Sequence, residues 1–289
     1  MGKSQAPQLE AVSWIPLSES GDPMNLVEQH YDKSANEEWR RLERRRTEYA
    51  ITLKALIHWL PAPPASIIDI GGGPGRYAID LARLGYSVTL VDVSSECVNL
   101  ARKKAEDAQV SLAGFVHGDA IELNEFESGS FDAALLLGPL YHLIERSERD
   151  QALREAVRVL KESGRLFAAF ITRFAPFRFV AIGDPAWLLE HKEYARQLLE
   201  TGVHDQPPET FTNAYYAQPE EVLPFMEQHK LKMLSLIGCE GIIAGHEEKV
   251  NELQGEAWEA WVDLNYRLGQ EPSLYGASDH LLYIGEKSG

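Results

Sequence analysis

The stretch Ile67-Ile68-Asp69-Ile70-Gly71-Gly72-Gly73-Pro74-Gly75-Arg76-Tyr77 decides the fold of this 289-residue chain. Its opening residues are apolar apart from Asp69 and have the composition of a short buried strand. The glycines that follow permit positive φ and let the main chain approach a ligand. A helix then opens at Arg76, and its first N–H groups and positive dipole end suit a carboxylate or phosphate. Strand, glycine turn and helix in that order describe a ligand loop at a first strand. A mononucleotide P-loop is excluded, because Gly75 is followed by Arg76-Tyr77 rather than Lys-Ser/Thr. The dinucleotide spacing G-x-G-x-x-G also fails, since its sixth position holds Arg76 or Ala78. What remains is G-x-G-x-G with Asp69 two residues upstream. That carboxylate would repel a pyrophosphate and attract an ammonium group.

Strand and helix alternate on either side of this loop. Apolar positions at Trp39, Leu42, Tyr49, Leu53, Leu56, Ile57 and Leu60 share one helix face, and Pro61, Pro63 and Pro64 end it. Ser34 and Glu37 read as its capping box. Strands are expected at 66–70, 87–91, 115–117, 131–137, 165–171, 231–238 and 280–285, and helices at 76–84, 95–108 and 148–160. Strands separated by helices of this length imply right-handed βαβ units and a parallel sheet. Continuous apolar runs such as Ala133 to Leu137 fit strands covered on both faces. Residues 1 to about 30, with Pro7, Pro16 and Pro23, read as an arm or loop. Two stretches break the rhythm. Residues 172–230 are rich in aromatics, among them Phe174, Phe177, Phe179, Trp187, Tyr194, Phe211 and Tyr216, and residues 244–279 carry Trp258 and Trp261. Long insertions after core strands are usually lids or substrate walls.

Composition narrows the function. The 28 Lys+Arg against 44 Asp+Glu give a net charge of −16, which disfavours a general nucleic-acid partner. No run of apolar residues is long enough for a membrane span, and Met1 to Glu10 lacks a signal-peptide core. Two cysteines, Cys97 and Cys239, build neither a disulfide framework nor a zinc site by themselves. A cytoplasmic protein is expected.

Three further motifs follow the loop in order. Asp92 ends the second strand, where an acid can accept hydrogen bonds from ribose hydroxyls. Gly118-Asp119-Ala120 closes the third. Leu136-Leu137-Gly138-Pro139-Leu140-Tyr141-His142-Leu143 closes the fourth, at the end of the sheet where ligands of open α/β folds sit. Together with Asp69 to Gly75, these motifs resemble the class I S-adenosylmethionine (SAM) dependent methyltransferases of the small-molecule type. The resemblance covers residues 65–171 closely and the remainder loosely. It implies an α/β, doubly wound, Rossmann-like and mostly parallel seven-stranded sheet with an antiparallel last strand, plus helical and aromatic lid insertions. It implies SAM as cofactor. Asp69, Gly71, Gly72, Gly73 and Gly75 would surround its methionine part, Asp92 and Val93 its ribose, Asp119 and Ala120 its adenine, and Leu137 and Gly138 its methyl group. Tyr31 resembles the arm tyrosine that closes over SAM in related enzymes, and Arg46 is a candidate for the methionine carboxylate.

The expected arrangement is an N-terminal arm and helix over the cofactor (1–60), a SAM-binding core (61–171), a lid insertion (172–230) and C-terminal strands of the same sheet (231–289). The expected reaction moves a methyl group to an O, N or S atom of a small molecule by in-line displacement, with no metal. His142, Tyr141 and His280 are the catalytic candidates, because a protonated acceptor needs a base and histidine titrates near neutrality. A SAM-binding protein without turnover, a protein methyltransferase and an NAD-dependent oxidoreductase are the competing readings.

Overall fold

The computed structural model describes residues 23–205 and 212–288. Its centre is a seven-stranded sheet of β1 (Ser66–Ile70), β2 (Ser87–Asp92), β3 (Gly114–His117), β4 (Phe131–Leu136), β5 (Leu160–Ile171), β8 (Leu231–Gly238) and β9 (His280–Lys287). A separate ladder joins the two-residue strands β6 (Val203–His204) and β7 (Ala214–Tyr215). Strand order in the large sheet is β3-β2-β1-β4-β5-β9-β8. The first five strands are mutually parallel. Strand β9 runs antiparallel to both β5 and β8. The chain is therefore the doubly wound α/β fold with a reversed last strand that the motifs implied. Its order reverses between β1 and β4, so the loops after those strands diverge and open a crevice.

Helices cover both faces. On one, α2 (Arg46–Trp59), α3 (Arg76–Arg83), α4 (Ser95–Asp107) and α12 (Gly255–Leu268) bury Ile51, Leu56, Leu81, Val98 and Trp258 against Ile67, Leu90 and Leu135. On the other, α6 (Arg146–Val159) and α10 (Pro219–Met226) bury Leu153, Ala156, Phe225 and Met226 against Ile68, Ile70 and Leu136. The central strands β1 and β4 are largely apolar and buried because both of their faces are covered.

The N-terminal region departs from the sequence reading. Residues 23–30 are helical and open α1 (Pro23–Arg44), whereas Ser34, expected to cap a helix, is a non-helical kink inside it (φ −118°). The Ser34 hydroxyl donates to the His30 carbonyl at 2.7 Å, a local bond that competes with the helical ladder. Helix α1 buries Val27 and Ala35 and is held mainly by polar contacts. Asp32 accepts from the Ser94 hydroxyl at 2.6 Å and from the Glu96 amide at 3.2 Å, at the positive end of α4. Residues 1–22 of the arm expected over residues 1 to about 30 lie outside the described residues, as does Phe211.

The 172–230 insertion folds as α7 (Ala175–Gly183), α8 (Trp187–Glu190), α9 (Lys192–Thr201), the β6–β7 ladder and α10. Tyr141, Ile171, Leu198, Ala214 and Tyr216 form a small core of their own beside the sheet, with Phe177 and Tyr194 packed on it. Neither α7 nor α8 holds a buried residue. No helix among the described residues is long and apolar enough to cross a membrane.

Leu135 is wholly buried in β4, between β1 and β5. Leu135→Ala should lower unfolding free energy by about 2–5 kcal/mol, read as a drop in the urea midpoint at constant m-value.

Candidate functional site

The crevice at the switch point holds a cavity of about 950 Å³, its open mouth included. Its floor is the glycine loop. Gly71 and Gly72 both donate to the Val91 carbonyl, at 2.8 and 3.1 Å, which ties the loop to the end of β2. Gly73 donates to Asp92 Oδ2 at 2.7 Å. Gly71 needs its freedom twice over: φ is +69°, and a Cβ there would lie 2.6 Å from the Pro139 ring. At Gly72 a Cβ would come within 2.8 Å of Asp69 Oδ2. Gly75, at φ +84°, turns the chain into α3 and does not line the cavity.

Two buried acids flank this loop. Asp69 is 1% exposed, and its Oδ2 has no hydrogen-bond partner among the described residues. Burial, with Asp92 nearby, pushes its carboxyl up to about 7. Asp92 is raised to about 6 by burial, against the pull of the Ser94 and Gly73 amides. Each Asp92 oxygen accepts one of those amides, at 2.8 and 2.7 Å, and keeps a further lone pair toward the cavity. Asp119 lines the far end, where its Oδ1 accepts from the Ile121 amide at 3.0 Å. Val93, Ala120, Leu137, Gly138, Tyr141 and His142 also line the cavity.

Helix α1 forms the roof. Tyr31 faces His142, with Oη 2.7 Å from Nε2, while the other ring nitrogen, Nδ1, lies 3.2 Å from the Asn213 carbonyl. A carbonyl only accepts, so the proton sits on Nδ1, and Nε2 accepts from the tyrosine. Burial pulls the His142 pKa down to about 4 despite the Asn213 bond, so the ring is neutral at pH 7. Burial also raises the Tyr31 and Tyr141 phenols above the usual tyrosine range.

Besides Gly75, two of the residues picked from the sequence lie outside the cavity lining. Arg46 does not line the cavity. It stacks 3.8 Å over the Trp258 ring and donates to the Asn251 and Leu253 carbonyls at 2.8 and 2.7 Å, so it fastens the second insertion to α2. His280, at the start of β9, also lies outside the cavity lining, with Nδ1 2.6 Å from Glu240 Oε1. The cation that does reach the cavity from α1 is Arg41, beside Glu38. Val27, Arg76 and Tyr77 also line the cavity and were missed, while Pro74, Gly118, Pro139 and Leu143 line it from within the quoted motifs without having been picked as site residues. Spacing from the kink at Ser34 would have been needed to find Arg41, and the sequence does not signal that kink.

Glu48, Glu240 and His280 bring three potential metal-ligand atoms within 4.8 Å of one another, a grouping the expectation of no metal did not foresee. Their charges are already met by one another, by Arg41 and by backbone amides.

The geometry matches known proteins. Residues 68–168 match a family model described as a methyltransferase domain. A ubiquinone biosynthesis O-methyltransferase from Xanthomonas oryzae pv. oryzae is 27% identical over 175 residues, 60% of this chain and 65% of that protein. The chain thus matches just under two thirds of that relative's length. The corresponding Coxiella burnetii protein is 24% identical over 189 residues, 65% of this chain and 72% of its own length. Among solved structures, magnesium protoporphyrin IX methyltransferase from Synechocystis superposes with a TM-score of 0.58 at 14% identity, covering 94% of this chain and all of that one. The Burkholderia thailandensis 1,6-didemethyltoxoflavin-N1-methyltransferase gives 0.56 at 14% identity, over 96% and 94% of the two chains. These superpositions speak to the fold. The likeness to methyltransferases in sequence is thus centred on residues 68–168, around the glycine loop and the strand-end acids, and the likeness in fold extends over most of the chain.

Gly71→Ala should strain the left-handed turn and push the loop off Pro139. The expected result is a stability loss of about 1–3 kcal/mol with loss of nucleoside binding, measured by thermal unfolding and calorimetry.

Proposed function

We propose that this protein transfers the methyl group of SAM to an O, N or S atom of a small molecule. The observation that carries the reading is the buried Asp69 carboxylate, with one oxygen unpartnered beneath the glycine loop. An amino-acid ammonium would satisfy it, whereas a diphosphate would not. The remaining residues fit the rest of that cofactor. Asp92 has lone pairs for ribose hydroxyls, Asp119 and Ala120 border the place for an adenine edge, and Arg41 offers a cation for the tail carboxylate. SAM supplies a methyl group already activated by its sulfonium, so the protein's work is alignment and exclusion of water.

His142 and Tyr141 stand at the end of β4, beside the place for that methyl group. The neutral His142 ring, with its Nδ1 proton directed at Asn213, presents Nε2 as the proton acceptor. An acceptor hydroxyl entering there would take the place of the Tyr31 hydroxyl, and Nε2 would receive its proton as the new bond to carbon forms. The small core of the 172–230 insertion stands beside Tyr141 and would bound the acceptor. A wall in that position would favour a small molecule over a protein tail. The net charge of −16 argues against a nucleic-acid acceptor, and the two unpaired cysteines fit the reducing conditions of a cytoplasm.

Methyl-labelled SAM incubated with a panel of small phenols, amines and thiols should give labelled product, and a panel that yields none would count against turnover. His142→Ala should lower kcat by ~10²-fold or more while leaving SAM affinity intact. Asp92→Ala should weaken SAM binding by about 1.5–3 kcal/mol, by calorimetry. Near pH 7 the Asp69 carboxyl is part-protonated, and an ammonium partner would ionise it. SAM binding should therefore release protons there, seen as a binding enthalpy that varies with the ionisation enthalpy of the buffer.

A further inference from the structure

Arg41 enters the cavity from α1 already held by two carboxylates. Its Nε donates to Glu38 at 2.8 Å, and its Nη1 and Nη2 donate to Glu48 at 2.7 and 3.3 Å. A guanidinium has five N–H donors, so two are left for a ligand. Two carboxylates on one cation leave an excess of negative charge, which would oppose the arrival of a third. Behind Glu48 stands His280, with Nδ1 3.8 Å from Glu48 Oε2 and 2.6 Å from Glu240 Oε1. Glu240 is fully buried, and its Oε2 accepts the amides of Asp279 and His280 at 3.1 and 2.8 Å, which fixes its position. The other charges around His280 pair among themselves. Arg45 lies 3.1 Å from Glu247 and 4.0 Å from Asp279, and Arg178 lies 2.8 Å from Asp279.

We propose that Glu48, His280 and Glu240 form a positioning relay. It holds Arg41 in the cleft and balances Glu48, so that the guanidinium's charge is available to the carboxylate of an amino-acid ligand tail. The proposal rests on the reading of the cleft as a SAM site. None of the three residues touches the ligand. Glu48 orients Arg41, the His280 imidazolium neutralises Glu48, and Glu240 anchors His280. Burial lowers the imidazole's pKa, but Glu48 and Glu240 outweigh it and hold His280 at about 9. Burial likewise opposes ionisation of Glu48, yet Arg41 and His280 bring its carboxyl down to about 2. The folded value for His280 lies above the ordinary 6.5, so its contribution is complete below that pH and is lost as pH rises through about 9. Its loss would return a negative charge beside Arg41.

The test compares two nucleosides by calorimetry on the full chain. S-adenosylhomocysteine carries the amino-acid tail, and 5′-methylthioadenosine lacks it. Arg41→Gln tests the reading of the site, and His280→Gln tests the relay. At pH 7, His280→Gln should weaken S-adenosylhomocysteine about tenfold and change methylthioadenosine less than about twofold. The tail's own ammonium titrates in the alkaline range, so the decisive quantity is the ratio of wild-type to His280→Gln affinity. That ratio should close toward one as pH rises through about 9. Should Arg41→Gln leave both ligands unaffected, the placement of the tail at Arg41 is wrong. Should Arg41→Gln weaken only S-adenosylhomocysteine while His280→Gln weakens neither ligand, the relay is wrong and the site stands. An equal loss for both nucleosides in His280→Gln, or a ratio independent of pH, would also overturn the relay by marking His280 as merely structural.

Discussion

Two amides share one carbonyl at the heart of this protein. Gly71 and Gly72 both donate to Val91 at the end of β2, and Gly73 donates to the side chain of the next residue, Asp92. These three contacts fix the loop that follows β1 in a shape only glycines tolerate, with Pro139 pressed against one side and Asp69 beneath. The cavity exists because the sheet order reverses beside that loop. The perturbed acidities of Asp69 and Asp92 exist because the loop and α1 keep water from them.

Electrostatics divides the molecule into two regions. In the cleft, buried carboxyls are left short of partners, which costs stability and suits a cationic ligand group. Behind α1, buried carboxylates are paired with Arg41, Arg45, Arg178 and His280, although one Glu247 oxygen has no hydrogen-bond partner among the described residues. Arg41 belongs to both regions, since it lines the cavity and also ends the ion chain. That dual membership links a helix with few apolar contacts to the C-terminal strands, and it explains how so polar a roof stays in place. The same fold also carries a [4+2]-cyclase, which superposes with a TM-score of 0.53 at 17% identity. The case for methyl transfer therefore lies in this site's chemistry and not in the architecture.

Most of the core was legible. Strands β1 and β4, and β5 from Leu166 onward, carry near-continuous apolar runs because both faces are covered there. Asp69, Asp92, Asp119 and His142 could be picked out because each sits at a strand end in a local motif. Residues 23–30 were misread because α1 is a polar helix held by side-chain bonds rather than an apolar stripe. Ser34 was misread because its hydroxyl bonds backward to His30 instead of capping forward.

Local sequence carries the order of the core strands and helices, the glycine loop and the acids at the strand ends, because each depends on neighbours a few residues away. Tertiary structure alone decided which arginine of α1 and α2 enters the cleft. Arg41 and Arg46 are alike in the sequence, but the kink at Ser34 and the break at Arg45 turn one toward the glycine loop and the other onto Trp258. It also decided the fate of His280, whose partners Glu48 and Glu240 come from distant segments. Charge pairing across such separations is set by how the sheet closes, and no local pattern encodes it.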